Sequence, residues 1–162
     1  MTKLKQAQDP NASPEILSIL ATNEDWCVRY WVASNPNTSP ETLSILATDE
    51  IWCVRYEVAE NPNTSPETLQ VLATDEDENV LYGVAQNPNT SPEILSVFVT
   101  DDYWEIRYEV AKNPNTSPET LAVLATDKKG KSEYVRYEVG QNPNATELIR
   151  RLVLMTNAQE ND

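Results

Sequence analysis

A seven-residue segment returns every 26 residues and constrains the fold of this chain more than any other feature. Asn35-Pro36-Asn37-Thr38-Ser39-Pro40-Glu41 recurs from Asn61, from Asn87 and from Asn113. A further Asn-Pro-Asn begins at Asn142, which is 29 residues after Asn113, so the repeat that begins at Asn113 carries a three-residue insertion. A repeat of this length is a supersecondary unit that buries its apolar face against its neighbours. The sequence therefore predicts a stack of repeats.

We expect one repeat domain over residues 1–162, because the repeats leave no gap for a linker. Terminal units of such a stack must differ from the inner ones, since one of their faces meets water. The predicted parts are an N-terminal cap (1–8), five repeats (9–34, 35–60, 61–86, 87–112 and 113–141) and a C-terminal capping helix and tail (142–162).

Each repeat contains the signals of two short helices. Ser39 is an N-cap residue, Pro40 suits the first helical position and Glu41 suits the positive end of the helix dipole. A second segment is expected to begin near Asp49, another capping residue, and to end at Asn61, because a residue before proline is pushed out of the helical region. The predicted fold is an all-α solenoid of 26-residue two-helix repeats.

The charge of the chain limits its partners. There are 26 acidic and 12 basic residues, which gives a net charge of −14. Binding to nucleic acid needs a basic surface, so no nucleic-acid partner is expected, whereas a protein partner with a basic surface suits this charge. No apolar run is long enough for a membrane span and no secretion signal is evident, so we expect a cytoplasmic protein without membrane contact.

The residues needed for catalysis or for a cofactor are scarce, and we expect no enzyme. Histidine is absent, and only three glycines occur, so neither a histidine-based nucleophile pair nor a glycine-rich phosphate loop is available. Glu41 recurs at one helix start in every repeat, which indicates a dipole and capping role. Cys27 and Cys53 are the only cysteines, too few for a metal site, so no cofactor and no metal are predicted.

Comparison of the repeats with one another separates fixed positions from variable ones. Around the second helix the variable positions 53, 57 and 60 fall within an arc of about 60°. Free variation beside a constant framework is typical of a solvent-facing surface, which makes this arc the candidate partner-binding strip. The variable strip comprises Cys27, Trp31, Cys53, Glu57, Glu60, Asn79, Gln86, Glu105, Glu109, Tyr134 and Glu138.

The pattern Asn-Pro-Asn-Thr-Ser-Pro-Glu-x-Leu, followed by Asp-x-x-x-x-Val-Arg-Tyr-x-Val-Ala, resembles the leucine-rich repeat variant family. The resemblance implies a right-handed superhelix of alternating α and 3₁₀ helices without a sheet. It leaves open which segment is 3₁₀, and we expect the segment around Val54-Arg55-Tyr56 to be α. The iron–sulfur cluster associated with the founding type does not carry over, because a cluster typically needs four thiolates.

A second resemblance, to HEAT-like solenoids, concerns an aspartate and an arginine near the start of each second helix. The resemblance implies a ladder between neighbouring repeats, and a planar guanidinium that serves several acceptors suits this role. Leu81 replaces the arginine in the third repeat. The pairs that we expect in the ladder are Asp49 with Arg55, Asp101 with Arg107, and Asp127 with Arg136.

These observations favour a non-enzymatic scaffold for protein–protein interaction, acting as a monomer or with weak self-association. Trp31 is the leading contact residue, because it stands in the variable strip where other repeats have Glu or Gly. Two alternatives remain. One is an acidic mimic of nucleic acid that inhibits a DNA- or RNA-binding protein, and the other is a structural repeat protein that binds no partner.

Overall fold

The structure, a computed structural model, describes residues 2–160, and of Glu160 only the backbone. Within that range the chain forms twelve α-helices, one 3₁₀ turn and no strand, which confirms the all-α prediction. Met1, Asn161 and Asp162, which belong to the predicted caps, lie outside the described residues. The helices are α1 (Lys3–Ala7), α2 (Pro14–Leu20), α3 (Trp26–Ser34), α4 (Pro40–Leu46), α5 (Trp52–Glu60), α6 (Pro66–Leu72), α7 (Glu78–Gln86), α8 (Pro92–Val97), α9 (Trp104–Lys112), α10 (Pro118–Leu124), α11 (Ser132–Gln141) and α12 (Glu147–Glu160).

The chain divides into two compact units, residues 1–89 and residues 90–162, which we call the N-terminal and C-terminal units. In the N-terminal unit α1, α3, α5 and α7 pack in sequence, and α2, α4 and α6 pack against them. In the C-terminal unit α9, α11 and α12 pack in sequence, with α10 against all three. Each unit is thus a stack of helix pairs. The prediction of one domain and that of a right-handed superhelix stay predictions.

The first helix of each repeat begins as the sequence predicts. The Ser39 hydroxyl accepts a hydrogen bond from the Thr42 N–H at 3.3 Å, and Pro40 occupies the first turn of α4. The backbone amide of Glu41 and the Ser39 hydroxyl hold the pKa of the Glu41 carboxyl below its usual value. The same serine cap begins α2, α6, α8 and α10.

The second helix begins later than expected. It begins at Trp52 rather than near Asp49, because the Asp49 side chain accepts from the Ile51 N–H at 2.9 Å and so caps a turn before the helix. It ends at Glu60 with Asn61 as the C-cap, as predicted. Both helices of the repeat are α, and among the described residues a 3₁₀ segment occurs only at Phe98–Thr100.

Within each unit, buried asparagine side chains join one repeat to the repeat before it. Asn61 is 4% exposed, and its amide donates to the carbonyl oxygens of Ala33 at 2.6 Å and of Asn35 at 3.1 Å. Asn142 makes the equivalent bonds in the C-terminal unit, at 2.7 and 3.0 Å, in spite of the preceding insertion. These carbonyls lie at or just beyond the C-terminus of a second helix, where no intrahelical donor exists. The repeated asparagine is therefore a clamp between repeats.

An arginine–aspartate ladder runs along the starts of the second helices within each unit. Arg55 donates to the carbonyl of Asp49 at 2.7 Å and to the carboxylate of Asp75 at 2.6 and 2.9 Å, so one guanidinium joins two repeats. Arg29 pairs with Asp49 in the same way. In the C-terminal unit, buried Arg107 pairs with Asp127 at 2.8 Å.

The ladder changes at two places. Arg136, at the end of the series, donates to Oδ1 of Asn157 at 2.6 Å and to the carbonyl of Asp127. Leu81 stands at the arginine position of the third repeat. In the C-terminal unit, Asp101 accepts from the Tyr103 N–H at 2.8 Å. The carboxylates and guanidinia of this ladder therefore form contacts that stabilise the fold.

Candidate protein-binding groove

The variable strip lies on the second helices, but its members differ in exposure. The exposed members are Trp31, Glu60, Asn79, Gln86, Glu105 and Tyr134, whereas Cys27, Cys53, Glu57 and Glu138 are half-buried. Glu109 is only 4% exposed, and its Oε2 lies 3.5 Å from Nζ of Lys112. The prediction of a solvent-facing position is therefore wrong for Glu109.

Strip glutamates in both units interact with tyrosines of the preceding repeat. Tyr108 Oη donates to Oε1 of Glu138 at 3.1 Å in the C-terminal unit. In the N-terminal unit the hydrogen bond to Glu57, together with burial, raises the pKa of Tyr30 to about 12. A carboxylate beside a phenol disfavours the phenolate. These glutamates stabilise the stack, which reduces the part of the strip that is free for a partner.

The third repeat has glycine at the corresponding strip position. A Cβ at Gly83 would lie 3.0 Å from Cβ of Ala59 and 3.4 Å from Cδ2 of Tyr56, so the tyrosine ring packs directly over the glycine backbone. Because position 83 carries no glutamate, Tyr56 interacts with Glu60, and burial together with this hydrogen bond raises the pKa of Tyr56. The tyrosine column is thus packing between repeats at this point as well.

An apolar groove of about 250 Å³ opens on the N-terminal unit at α3 and α5. It is lined by Trp26, Cys27, Tyr30, Trp31 and Cys53, and we call it the N-terminal groove. Trp26 is 44% exposed and Trp31 is 40% exposed. The Trp31 ring meets the Tyr30 ring edge-on, with centroids 5.6 Å apart, which orients the indole beside the groove. Concave apolar surfaces with exposed aromatic rings are the usual form of a binding site.

The equivalent positions of the C-terminal unit are covered. Tyr134 stands where the groove has Cys53, and its ring centroid lies 5.8 Å from that of Trp104. Lys131, from the insertion, places its Nζ 4.9 Å from the Trp104 ring centroid. Glu109 replaces the tryptophan found at position 31. The same repeat positions therefore form an open groove in one unit and a filled surface in the other.

The Cys27 thiol in the groove is not activated. Both cysteines are free, and burial together with the negative charge of Asp25 raises the pKa of Cys27. A protonated thiol is a poor nucleophile and a poor metal ligand. The groove can therefore bind by apolar and aromatic contact, with the indole N–H groups as donors.

Two features of the surface are not anticipated by the sequence analysis. One is the pairing of Tyr30 with Glu57, which the offset between the repeated tyrosine and the glutamate of the next repeat could have indicated: it is 27 residues here and 30 across the insertion, for Tyr108 and Glu138. The other is a column of exposed aliphatic residues on the first helices, one in each repeat. Its members are Ile19, Ile45, Val71, Val97 and Val123.

Comparison with known proteins supports the fold and nothing finer. The chain is similar to a solved structure described as a leucine-rich repeat variant with a repetitive structural motif. The TM-score is 0.54 at 22% sequence identity, and the match covers 94% of this chain and 79% of that chain. No protein-family model and no curated protein matches the chain. None of the helices within residues 2–160 combines the length and the apolar character that crossing a membrane requires. The structural likeness confirms a helical repeat fold of the leucine-rich repeat variant type.

Proposed function

We propose that this chain is a non-enzymatic scaffold that binds a protein partner in the cytoplasm, with the N-terminal groove as the contact site. The observation that carries the proposal is the groove itself, an apolar concavity in which Trp31 is 40% exposed. Exposed tryptophan is a frequent anchor of protein interfaces, because one ring buries a large apolar area and offers one donor.

The charge around the groove supports a partner with a basic surface. The carboxylates of Glu57 and Glu60 lie close enough to Tyr30 to raise the pKa of its hydroxyl. The carboxylate of Asp25, at the start of α3, contributes with burial to a raised pKa of the neighbouring Cys27 thiol. An apolar groove with an acidic rim favours a partner that presents an apolar side chain among lysines or arginines.

The proposal is tested with Trp31→Ala, and Tyr137→Ala serves as the matched control because Tyr137 is an exposed ring on a second helix outside the groove. Both variants and the parent are used for affinity capture from source-cell lysate, and the captured protein is then purified and titrated. We expect a partner that the parent and Tyr137→Ala retain and Trp31→Ala loses. Equal capture by all three proteins would contradict the groove as the contact site.

The acidic mimic of nucleic acid is a second candidate, favoured by the charge distribution. Between Arg29 and Arg107 the sequence has 14 acidic residues and only one basic residue, Arg55. A mimic acts through charge, so its binding collapses between low and moderate salt, whereas binding anchored by Trp31 persists. Titration of the captured partner at two salt concentrations separates the two functions.

A further inference from the structure

An acidic residue stands two positions before a tryptophan at the start of the second helix in three repeats. The pairs are Glu24 with Trp26, Glu50 with Trp52, and Asp102 with Trp104. The first two lie in the N-terminal unit and the third lies in the C-terminal unit. The third pair shows which chemistry this arrangement accepts, because the chain itself occupies it.

The occupant of the third pair is the lysine-rich insertion. Lys129 Nζ donates to the carbonyl of Thr100 at 3.0 Å and lies 3.3 Å from Oδ1 of Asp102, whose side chain is 95% exposed. Lys131 Nζ lies 4.9 Å above the Trp104 ring, within the range of a cation–π contact. Gly130 separates them with φ of 55°, a left-handed conformation that glycine adopts without strain. One short segment thus places one ammonium on the carboxylate and another on the indole.

Among the described residues no lysine contacts the pairs of the N-terminal unit. The Glu50 side chain is 82% exposed, with Arg29 Nη2 at 3.6 Å, and Trp52 is 42% exposed. The loops of the following repeats, residues 48–51 and 74–77, are three residues shorter than the insertion-bearing loop and contain no lysine or arginine. The carboxylate is therefore exposed, as in the third pair, and so is the indole, but neither has a lysine on it.

We propose that the Glu50–Trp52 pair, with the Glu24–Trp26 pair in the neighbouring repeat, binds a Lys-x-Lys segment of a protein partner. This inference rests on the proposed scaffold function and states the partner chemistry. One lysine of the segment lies over the indole and the other meets the carboxylate, as Lys131 and Lys129 do on Trp104 and Asp102. The acidic surface adds long-range attraction for such a segment.

The test is a titration of the full chain with a synthetic, end-blocked peptide of three Lys-Gly-Lys units. Binding is monitored by tryptophan fluorescence and by the NMR resonances of the indole N–H groups of Trp26 and Trp52. We expect saturable binding that shifts these two resonances. Trp52→Leu should weaken it by about two- to fivefold, the range for one exposed cation–π contact. The Trp52→Leu, Glu50→Gln double variant should weaken it further. A peptide with glutamine in place of lysine should not bind.

The controls separate this inference from the proposed function. Trp31→Ala alters the groove, which includes Trp26, but it leaves Glu50 and Trp52 untouched, so the peptide should still shift the Trp52 resonance as it does in the parent. Circular dichroism and the unfolding midpoint establish that each variant is folded, which is expected at such exposed positions. Equal binding by the parent and the double variant would overturn the inference, even if the Trp31-dependent partner is captured. Peptide binding that depends on Trp52, without any Trp31-dependent partner, would instead overturn the groove and keep the lysine site.

Discussion

The N-terminal and C-terminal units use the same repeat positions in opposite ways. In the N-terminal unit Trp26 and Trp31 border an open apolar groove. In the C-terminal unit Trp104 is covered by Tyr134 and by Lys131. The three-residue insertion supplies the covering lysine, while the asparagine clamp is the same in both units. A repeat protein can thus acquire or lose a binding surface through one loop, because the clamp does not depend on that loop.

The framework differs between the units in one respect, the burial of its ion pairs. The Arg55 side chain is 13% exposed, whereas that of Arg107 is fully buried. Arg107 also donates to the carbonyl of Lys129 in the insertion at 2.6 Å. The insertion therefore encloses the ladder as well as the indole. Burial raises the cost of an unpaired charge, which makes the ladder of the C-terminal unit the more vulnerable of the two.

The largest expected effect comes from removal of one ladder carboxylate. Asp127→Ala leaves the buried guanidinium of Arg107 without its counter-ion and should cost about 3 to 5 kcal/mol in the free energy of unfolding. Asp75→Ala removes the equivalent partner of Arg55, and it should cost clearly less because water reaches that guanidinium. Denaturant unfolding of both variants and the parent measures the difference. Equal losses would show that burial by the insertion does not decide the strength of the ladder.

The chain offers a natural control for this prediction. Leu81 shows that leucine is accepted at an arginine position of the ladder. Arg107→Leu removes the charge together with its need for a partner, so it should be less destabilising than Asp127→Ala. The reverse order would mean that the hydrogen bonds of Arg107 to backbone carbonyls matter more than its charge.

A second prediction concerns the asparagine clamp, which the two units share. Asn61→Ala leaves the buried carbonyl oxygen of Ala33 without a donor, and Asn142→Ala does the same to that of Ala111, whereas the carbonyls of Asn35 and Asn113 keep a backbone N–H. Each variant should cost about 1 to 3 kcal/mol. The losses should be equal, because the donor–acceptor distances match within 0.1 Å in the two units. Thermal and denaturant unfolding provide the comparison. A much smaller loss for Asn142→Ala would indicate that the insertion loosens the clamp behind it.

The sequence was sufficient for the framework because the framework repeats. The serine caps, the C-cap at Asn61 and the all-α fold follow from residues that recur in phase and have strong local preferences. The start of the second helix was placed too early, since Asp49 caps a turn and binds Arg29 instead of capping the helix. That choice depends on a residue 20 positions away, which a local signal does not contain.

The candidate site was less predictable because it also depends on contacts between residues of different repeats. Variation among repeats indicated the strip, yet variation does not distinguish a free side chain from one paired across the stack. Glu109 varies and is buried, and Glu57 varies and interacts with Tyr30. The groove depends on small residues, Cys27 and Cys53, beside large rings, and this difference in volume appears only when two helices are placed side by side.

A third prediction concerns the tyrosine–glutamate contacts and their dependence on pH. The pKa of Tyr30 is raised to about 12 in the folded chain, above the value near 10 of an unfolded tyrosine. The contact therefore stabilises the fold fully below about pH 10, and this contribution is lost as the pH rises towards 12. Tyr30→Phe should cost about 1 kcal/mol at pH 7 and should lose less stability than the parent above pH 10. Unfolding midpoints measured across this range check the sign, and parallel curves for both proteins would contradict it.

The smallest expected effect on stability comes from opening the covered unit. Lys131→Met removes the ammonium above Trp104 and should cost less than about 1 kcal/mol, since an exposed cation–π contact contributes little. The variant is informative because Trp104, like Trp52, then has no ammonium over its ring. Acrylamide should quench the tryptophan fluorescence of this variant more strongly than that of the parent. With Lys129→Gln added, Asp102 is released as well, and the Lys-Gly-Lys peptide should gain a further binding site in the C-terminal unit. If quenching and stoichiometry stay at the parent values, Tyr134 rather than the insertion closes this surface, and the difference between the units belongs to the helix and not to the loop.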